Sequence, residues 1–382
     1  MTMKNIQAII LAAGKSTRFQ TGKTKLLEKI CGQEMIIYIT KLLERANIPT
    51  TMVVGYQKEL IIEAVKNNHI TDIQFVTQEV QKGTGHAILS SRDTWNQQDI
   101  LICNGDCPLL TENTIEELYE THIASDAAIS FIVAHNADPS VKGYGRIVES
   151  NGVIKIVEAK DFTGDATTDC CINAGIYLIK KEFLTQYIDS LNTNNNSNEF
   201  YLTDLIEIAS KNGKKVTTVT ASFDQIRGIN TLEELWIAQQ IKRAEIIKYW
   251  MHNGVRFALA QNVHIDLPVT IGQGSYIGGG VQLLGNTQIG QACAIYDFSS
   301  IENSMLHNDV TVFSHSVIKD ATIEDHTQVG PFAHIHDHAH IEKNTCTGSF
   351  SEITNKTHTT NAQQIMKATS VYNTTNNPET PR

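Results

Sequence analysis

No apolar run in these 382 residues approaches the ~20 that a bilayer span needs. Ile6 to Leu11 is too short, and too promptly followed by Gly14, to be the core of a signal peptide. A cytoplasmic chain without membrane insertion is the expectation. Positive charge is also scarce: 31 Lys+Arg stand against 41 Asp+Glu, a net charge of −10, which excludes nucleic acid as the main partner because phosphate-backbone affinity needs a basic surface. Cysteine is sparse and odd in number, seven in all, with Cys170 beside Cys171, so no disulfide framework is expected. Cys103 and Cys107 lack the second pair that a zinc site needs, and packed, reduced thiols are the remaining reading. What is present is ordinary: 41% hydrophobic and 19% charged residues exclude a disordered, collagen-like or fibrous chain. The length exceeds what one core serves and points to two domains.

Up to about residue 220, short β-rich runs alternate with helical ones: Gln7 to Leu11 then Glu34 to Ala46, Thr51 to Val54 then Glu59 to Lys66, Asp99 to Cys103 then Thr111 to His122. That alternation predicts βαβ units on a parallel sheet. The later runs Ala127 to Val133, Arg146 to Val148, Val153 to Val157 and Ile172 to Ile179 are separated by turns, which predicts an antiparallel portion joined to it. Asn192 to Asn198 reads as a loop. Leu232 to Trp250, free of Gly and Pro and apolar at helical spacing, reads as a linker helix.

After Asn253 the period becomes six. Aliphatic residues recur at Ile265, Ile271, Ile277, Leu283, Ile289, Ile295 and Ile301, slip once to Leu306, Val312 and Ile318, and slip again to Ile323, Val329, Ile335 and Ile341. With Gly after the aliphatic position at 272, 278, 290 and 330, this is the pattern of a parallel β-helix with three flats per coil. From Ser351 on, Thr, Asn and Gln dominate, and a disordered tail is expected.

Leu11-Ala12-Ala13-Gly14-Lys15-Ser16-Thr17-Arg18 directly follows the first apolar strand, with Lys25 downstream. A Walker loop is excluded, since Ile9 stands where its first Gly belongs. Small residues still let backbone N–H groups approach a phosphate chain, and Arg18 and Lys25 can neutralise it. Gln78 with Gly83-Thr84-Gly85-His86-Ala87, and Asn104-Gly105-Asp106-Cys107-Pro108-Leu109, follow the next strands. A carboxylate at the carboxyl end of a buried strand in an open α/β sheet is where ligands and their metals sit.

These residues carry a resemblance to the bacterial N-acetylglucosamine-1-phosphate uridyltransferase / glucosamine-1-phosphate acetyltransferase (GlmU) family. Leu11 to Arg18 and Lys25 resemble its signature. The likeness continues through Gly143 to Ile147, Val157 to Asp161, Ile172 to Ile176, Glu199 to Asp204 and Gly228 to Asn230, and covers about the first 350 residues in order. It implies an α/β Rossmann-like nucleotidyltransferase domain over 1–229, a linker helix over 230–252, a left-handed parallel β-helix over 253–350 and a polar tail over 351–382. It implies transfer of uridylyl from UTP to N-acetylglucosamine 1-phosphate, with in-line attack on the α-phosphorus and release of pyrophosphate. By the resemblance Arg18 and Lys25 act in catalysis, and Leu11, Ala12, Ala13, Gly14, Gln78, Gly83 and Thr84 bind the nucleotide, Gln78 at the uracil edge. Asn104, Gly105, Gly145, Glu158 and Asn173 bind the amino-sugar phosphate. Asp106 and Asn230 hold Mg²⁺, and the assembly is a homotrimer.

The sequence departs from the family at Ser16 for Gly, Thr24 for Pro and Asn104 for an aromatic, which leaves open another nucleotide or sugar 1-phosphate. A catalytically inactive scaffold is the non-enzymatic alternative, opposed by the retention of Arg18, Lys25, Asp106 and Asn230 together. In the second half, His334 and His336 replace the two expected arginines and Thr354 the acetyl-transfer lysine. No catalytic-base histidine motif follows, so loss of acetyl transfer is expected. Half of the 14 histidines lie between His307 and His340. With no carboxylate or cysteine to complete a spaced ligand set, they read as a solvated face rather than a metal site.

Overall fold

The computed structural model describes residues 3–19, 22–70, 72–136, 143–163 and 170–354, and the strand pairs His358–Thr359, Gln364–Ile365 and Ser370–Val371. The chain divides into two compact units, one of Met1–Ile30 with Glu34–Ala238 and one of Cys31–Gln33 with Gln239–Arg382. The division falls inside the helix Leu232–His252, within the expected linker. No helix among the described residues is long and apolar enough to cross a membrane.

The first unit is built on strands β1 (Ile6–Ala12), β2 (Thr50–Val54), β3 (Ile73–Thr77), β4 (Asp99–Asn104), β5 (Ile129–Asn136), β6 (Arg146–Ser150), β7 (Val153–Val157), β8 (Cys170–Lys180) and β9 (Val216–Thr220). Their order across the sheet is β9-β5-β8-β4-β1-β2-β3. β1 reads almost continuously apolar because both its faces are covered, as central parallel strands require. Helix α1 (Met35–Arg45) buries Met35, Ile36, Ile39, Leu42 and Leu43, a stripe at three-to-four spacing. β1 pairs in parallel with β2 on one side and β4 on the other, so the chain order reverses at β1. The loops after β1 and β4 therefore open on a topological switch point, where open α/β sheets bind ligands. β8 runs antiparallel to β4 and β5, and β6 and β7 form an antiparallel pair beside it, as the turn-separated runs predict.

In the second unit three columns of two- and three-residue strands stack in parallel register. This is the left-handed parallel β-helix that the period of six implies. The aliphatic positions are its axis: Ile277, Leu283, Ile295, Ile301, Val312, Ile318, Val329, Ile335 and Ile341 are fully buried. The register slips are shortened coils. Ile277 pairs with Ile295, eighteen positions on, whereas Ile295 pairs with Val312 and Ile301 with Ile318, each seventeen on. One corner residue is lost without disturbing the inward face, the corners passing through left-handed Asn303 and Asp320. A second buried set, missed by the aliphatic count, is hydroxylic: Ser275, Thr287 and Ser299, one immediately before a strand in each column, donate to backbone carbonyls at the turns, which satisfies groups that the narrow prism cannot expose.

The ladder also runs past the expected boundary at residue 350. Glu352–Ile353 pairs with His334–Ile335, and the pairs at 358–359, 364–365 and 370–371 continue the three columns. Ile353, Ile365 and Val371 keep the spacing of six within the Thr/Asn-rich composition, so composition alone did not mark the end of the ladder. The remainder of the expected tail lies outside the described residues.

Candidate active site

The loops at the switch point enclose a cavity of about 610 Å³. Twelve of the expected site residues line it: Leu11, Ala12, Ala13, Gly14, Arg18, Lys25, Gln78, Gly83, Thr84, Asn104, Asp106 and Asn230. At one end Lys25 Nζ donates to Asp106 Oδ2 at 2.6 Å and to Asn230 Oδ1 at 2.7 Å, and Arg18 donates to the same Asn230 oxygen at 2.6 Å. Two cationic side chains and two oxygen donors, spread over more than two hundred residues of sequence, thus meet at one point.

Local structure explains how each arrives. Asp106 follows β4, and its backbone carbonyl accepts from Ile229 N at 3.0 Å, which fixes the loop bearing Asn230 against it. Gly228 N donates to Tyr144 Oη at 2.8 Å, a second tether on that loop. Beyond it, Thr231 and Glu234 form a capping box: Glu234 N donates to Thr231 Oγ1 at 3.1 Å, and Thr231 N and Asn230 N donate to Glu234 Oε2 at 2.9 and 2.6 Å. The Thr-x-x-Glu spacing is a signal that the sequence carries in plain view.

Lys25 is positioned through the residue that departs from the family. Ser16 has φ +53°, the left-handed region where glycine is unstrained, and its Oγ accepts from Lys25 N at 3.2 Å. A serine here carries backbone strain and returns a tether on Lys25. Thr24 is fully buried, and its N–H donates to Gln57 Oε1 at 2.8 Å, a bond that proline could not make.

At the other end Gln78 is buried, and both of its side-chain N–H groups are spent: Nε2 donates to Gly83 O at 3.1 Å and faces His86 Nδ1 at 3.0 Å. Desolvation, aided by Lys82, holds His86 below the ordinary imidazole range, which favours the neutral ring, and the facing Gln78 N–H selects the tautomer in which Nδ1 accepts. Only the amide oxygen of Gln78 is left for a ligand. Gly83 has φ +105°, and a Cβ there would lie 2.6 Å from the carbonyl oxygen of Phe200, so this position requires glycine. Phe200 N in turn donates to Lys82 O, and Gly85 N to Phe200 O, both at 2.8 Å, which clamps the loop.

Gly105, Gly145, Glu158 and Asn173 stand outside the cavity lining. Gly105 N donates to Leu11 O at 3.0 Å and knits the two loops together. The other three form a neighbouring cluster, with Asn173 N donating to Gly145 O at 2.9 Å and Thr203 Oγ1 to Glu158 Oε1 at 2.9 Å. The Asn173 amide is held at both ends, donating to Tyr177 Oη at 2.6 Å and accepting from Gly175 N at 3.1 Å. Desolvation raises the Glu158 carboxyl above its usual range, with Asp161 and Glu199 adding to the shift and Thr203 opposing it. Lys15, Ser16, Leu26, Val80, Gln81, Ala87 and Glu199 also line the cavity and were not singled out as site residues. Among the described cysteines, Cys103 and Cys107 are buried and free; burial pushes the Cys103 thiol up to about 12, so it is no nucleophile.

Residues 8–152 match the MobA-like NTP transferase domain, and residues 320–355 match the bacterial transferase hexapeptide family of six repeats. The bifunctional protein GlmU of Clostridium botulinum (strain 657 / Type Ba4) is 37% identical over 355 residues, 92% of this chain and 76% of that protein. The proteins of the same name from Clostridium kluyveri (strain NBRC 12016) and Clostridium novyi (strain NT) are 36% and 35% identical over the same shares. The first unit is accordingly a sugar-phosphate nucleotidyltransferase domain, and the second a hexapeptide β-helix. With that identity spread over most of both chains and over both folds, the chain belongs to the GlmU family.

Proposed function

We propose that the first unit transfers uridylyl from UTP to N-acetylglucosamine 1-phosphate, giving UDP-N-acetylglucosamine and pyrophosphate. The observation that carries this is the convergence of Lys25, Arg18, Asp106 and Asn230 at one end of a cavity whose other end presents the Gln78 amide oxygen. An acceptor in that position suits the N3–H of uracil and repels the N3 lone pair of cytosine. Since both Gln78 N–H groups are engaged within the protein, this side chain reads the uracil edge through N3–H alone and donates nothing to O4.

The donor set fits Mg²⁺. The Asp106 and Asn230 oxygens already converge on one cation, the Lys25 ammonium, and a carboxylate with a neutral amide oxygen leaves a hard divalent ion free to take phosphate and water. When bound, the ion supplies charge neutralisation at the reacting phosphates. Lys25 and Arg18 neutralise the triphosphate and the departing pyrophosphate. The small residues Ala12 to Gly14 let the backbone close on it, and Glu158 and Asn173 hold the amino sugar so that its phosphate oxygen lies in line with the α-phosphorus.

In the second unit, neutral His334 and uncharged Thr354 stand where cations are expected, which supports loss of acetyl transfer. The hexapeptide prism supports a homotrimer, and the composition a cytoplasmic setting. Asn104 favours a second reading: its side chain lines the cavity and would collide with any Cβ on Gly175, so it reshapes the wall between nucleotide and sugar sites and admits another sugar 1-phosphate. Pyrophosphate release across four nucleoside triphosphates and a panel of sugar 1-phosphates tests both. Turnover fastest with UTP and N-acetylglucosamine 1-phosphate is expected, and faster turnover with another pair replaces the reading.

A further inference from the structure

The alternating histidines of the β-helix do not share one face. His338, in the left-handed conformation, lies between strands of two different columns, and His340 faces Glu324 of the preceding coil, Nε2 to Oε1 at 3.0 Å. His334 and His336 remain together, their rings stacked with centroids 4.2 Å apart. The pairing of His334 with Glu352 on the next coil brings a carboxylate to them. The expectation of a solvated histidine face rested on the lack of a carboxylate at local spacing, and coil register brings one, Glu352, beside His334 and His336.

We propose that His334, His336 and Glu352 form a site for a divalent transition metal of the zinc class, with one coordination position left open. Among the described residues, these offer one ligand atom each, all within 4.8 Å of one another. A tetrahedron about zinc has edges of roughly 3.4 Å, so side-chain adjustments of about 1 Å close the set. His336 Nε2 is buried without a hydrogen-bond partner, an orphaned lone pair that a metal would satisfy when Nδ1 carries the proton, and Glu352 Oε1 lies 3.6 Å from it. The other ring nitrogen, Nδ1, lies 3.2 Å from Asp337 Oδ2, the carboxylate–histidine arrangement that fixes the tautomer and turns the ring of a metal ligand. Two imidazoles and one carboxylate are a zinc donor set, and its members stand on consecutive coils, so the bound ion clips one coil to the next. The site is independent of the uridylyl-transfer reading.

The test uses the full chain, stripped with chelator and held in excess Mg²⁺ to occupy carboxylate sites, then titrated with Zn²⁺ or Co²⁺. The wild type is expected to bind one Zn²⁺ per chain more than the His334→Ala/His336→Ala double variant, to show a Co²⁺ visible band that the variant lacks, and to melt higher with Zn²⁺ where the variant does not. Cys346, exposed on a neighbouring strand, is present in both proteins and cancels from the difference. Glu352→Gln, nearly isosteric, is expected to weaken binding at least about tenfold, and Asp337→Asn by about 10–100-fold. These keep the test readable should the double variant misfold, which circular dichroism reports. Equal Zn²⁺ stoichiometry and affinity in wild type and Glu352→Gln, or an identical Co²⁺ spectrum in wild type and a folded double variant, overturns the site.

Discussion

Ile229 N donates to the carbonyl oxygen of Asp106 at 3.0 Å, a backbone bond between residues more than a hundred positions apart. It sets the distance between the Asp106 carboxylate and the Asn230 amide, the two groups that share Lys25. Because the bond is made by backbone, substitutions at Asp106 or Asn230 alter the chemistry while leaving the loops docked.

Asp106→Ala is therefore expected to fold and to lose nearly all nucleotidyl transfer, by about 10²–10³ or more, the scale of losing one preorganised charge-stabilising group. Asn230→Ala, which removes a neutral oxygen, is expected to be milder. Pyrophosphate release at saturating Mg²⁺ reads both, and near-normal turnover in Asp106→Ala contradicts the metal assignment.

His86→Phe keeps the stack on Phe200 but removes the acceptor that holds the Gln78 amide. Since the effect is on base orientation, KM for UTP is expected to rise about tenfold, one misdirected hydrogen bond, with kcat little changed. The preference for UTP over CTP should narrow. Unchanged UTP/CTP discrimination removes His86 from the positioning of the base.

Ser16→Gly trades strain for a lost tether: the left-handed backbone relaxes, and the Ser16 Oγ bond to Lys25 N disappears. The two effects are each about 1 kcal/mol and oppose each other in stability, so the melting temperature should move little. Activity should fall, by about tenfold or less, because only the tether touches Lys25. A rise in kcat refutes the positioning role of Ser16.

Desolvation, with Glu207, Glu158 and Asp161 nearby, raises the Asp204 carboxyl to about 6 from its usual 3.8. A carboxyl raised on folding favours the native state fully only below its unfolded value; that contribution is lost as pH rises from about 3.8 through about 6. Asp204→Asn is expected to melt higher than the wild type at pH 7, with the gap closing by pH 3.8. Melting curves across this window check it, and a gap that widens on acidification reverses the sign.

Acetyl transfer from acetyl-CoA to glucosamine 1-phosphate is expected to be negligible. The amine must lose a proton to a positioned base, help worth about 10²–10⁴-fold. Where the family resemblance leads one to expect two arginines, this chain has His334 and His336, and neither carries arginine's permanent charge. Thiol release at a rate comparable to uridylyl transfer contradicts this.

By itself the sequence determined whatever depends on neighbours in the chain. Period-six aliphatics specify the β-helix axis, since each repeat makes one flat. Alternating strand and helix runs specify the parallel sheet, and small residues after β1 specify a loop that admits phosphate. Tertiary structure decided what depends on register between distant segments. Lys25, Asp106 and Asn230 meet through loop docking that no local spacing encodes. The Gln78 donors are consumed by Gly83 and His86, which limits the base edge it can read. Glu352 reaches His334 because one coil of this prism is eighteen residues long at that point and seventeen just before it, where His334 pairs with Val317. Such a coil length is set by how many residues each corner omits, and corners carry no apolar signal, so the partner of a side chain across coils is fixed only when the backbone closes its turn.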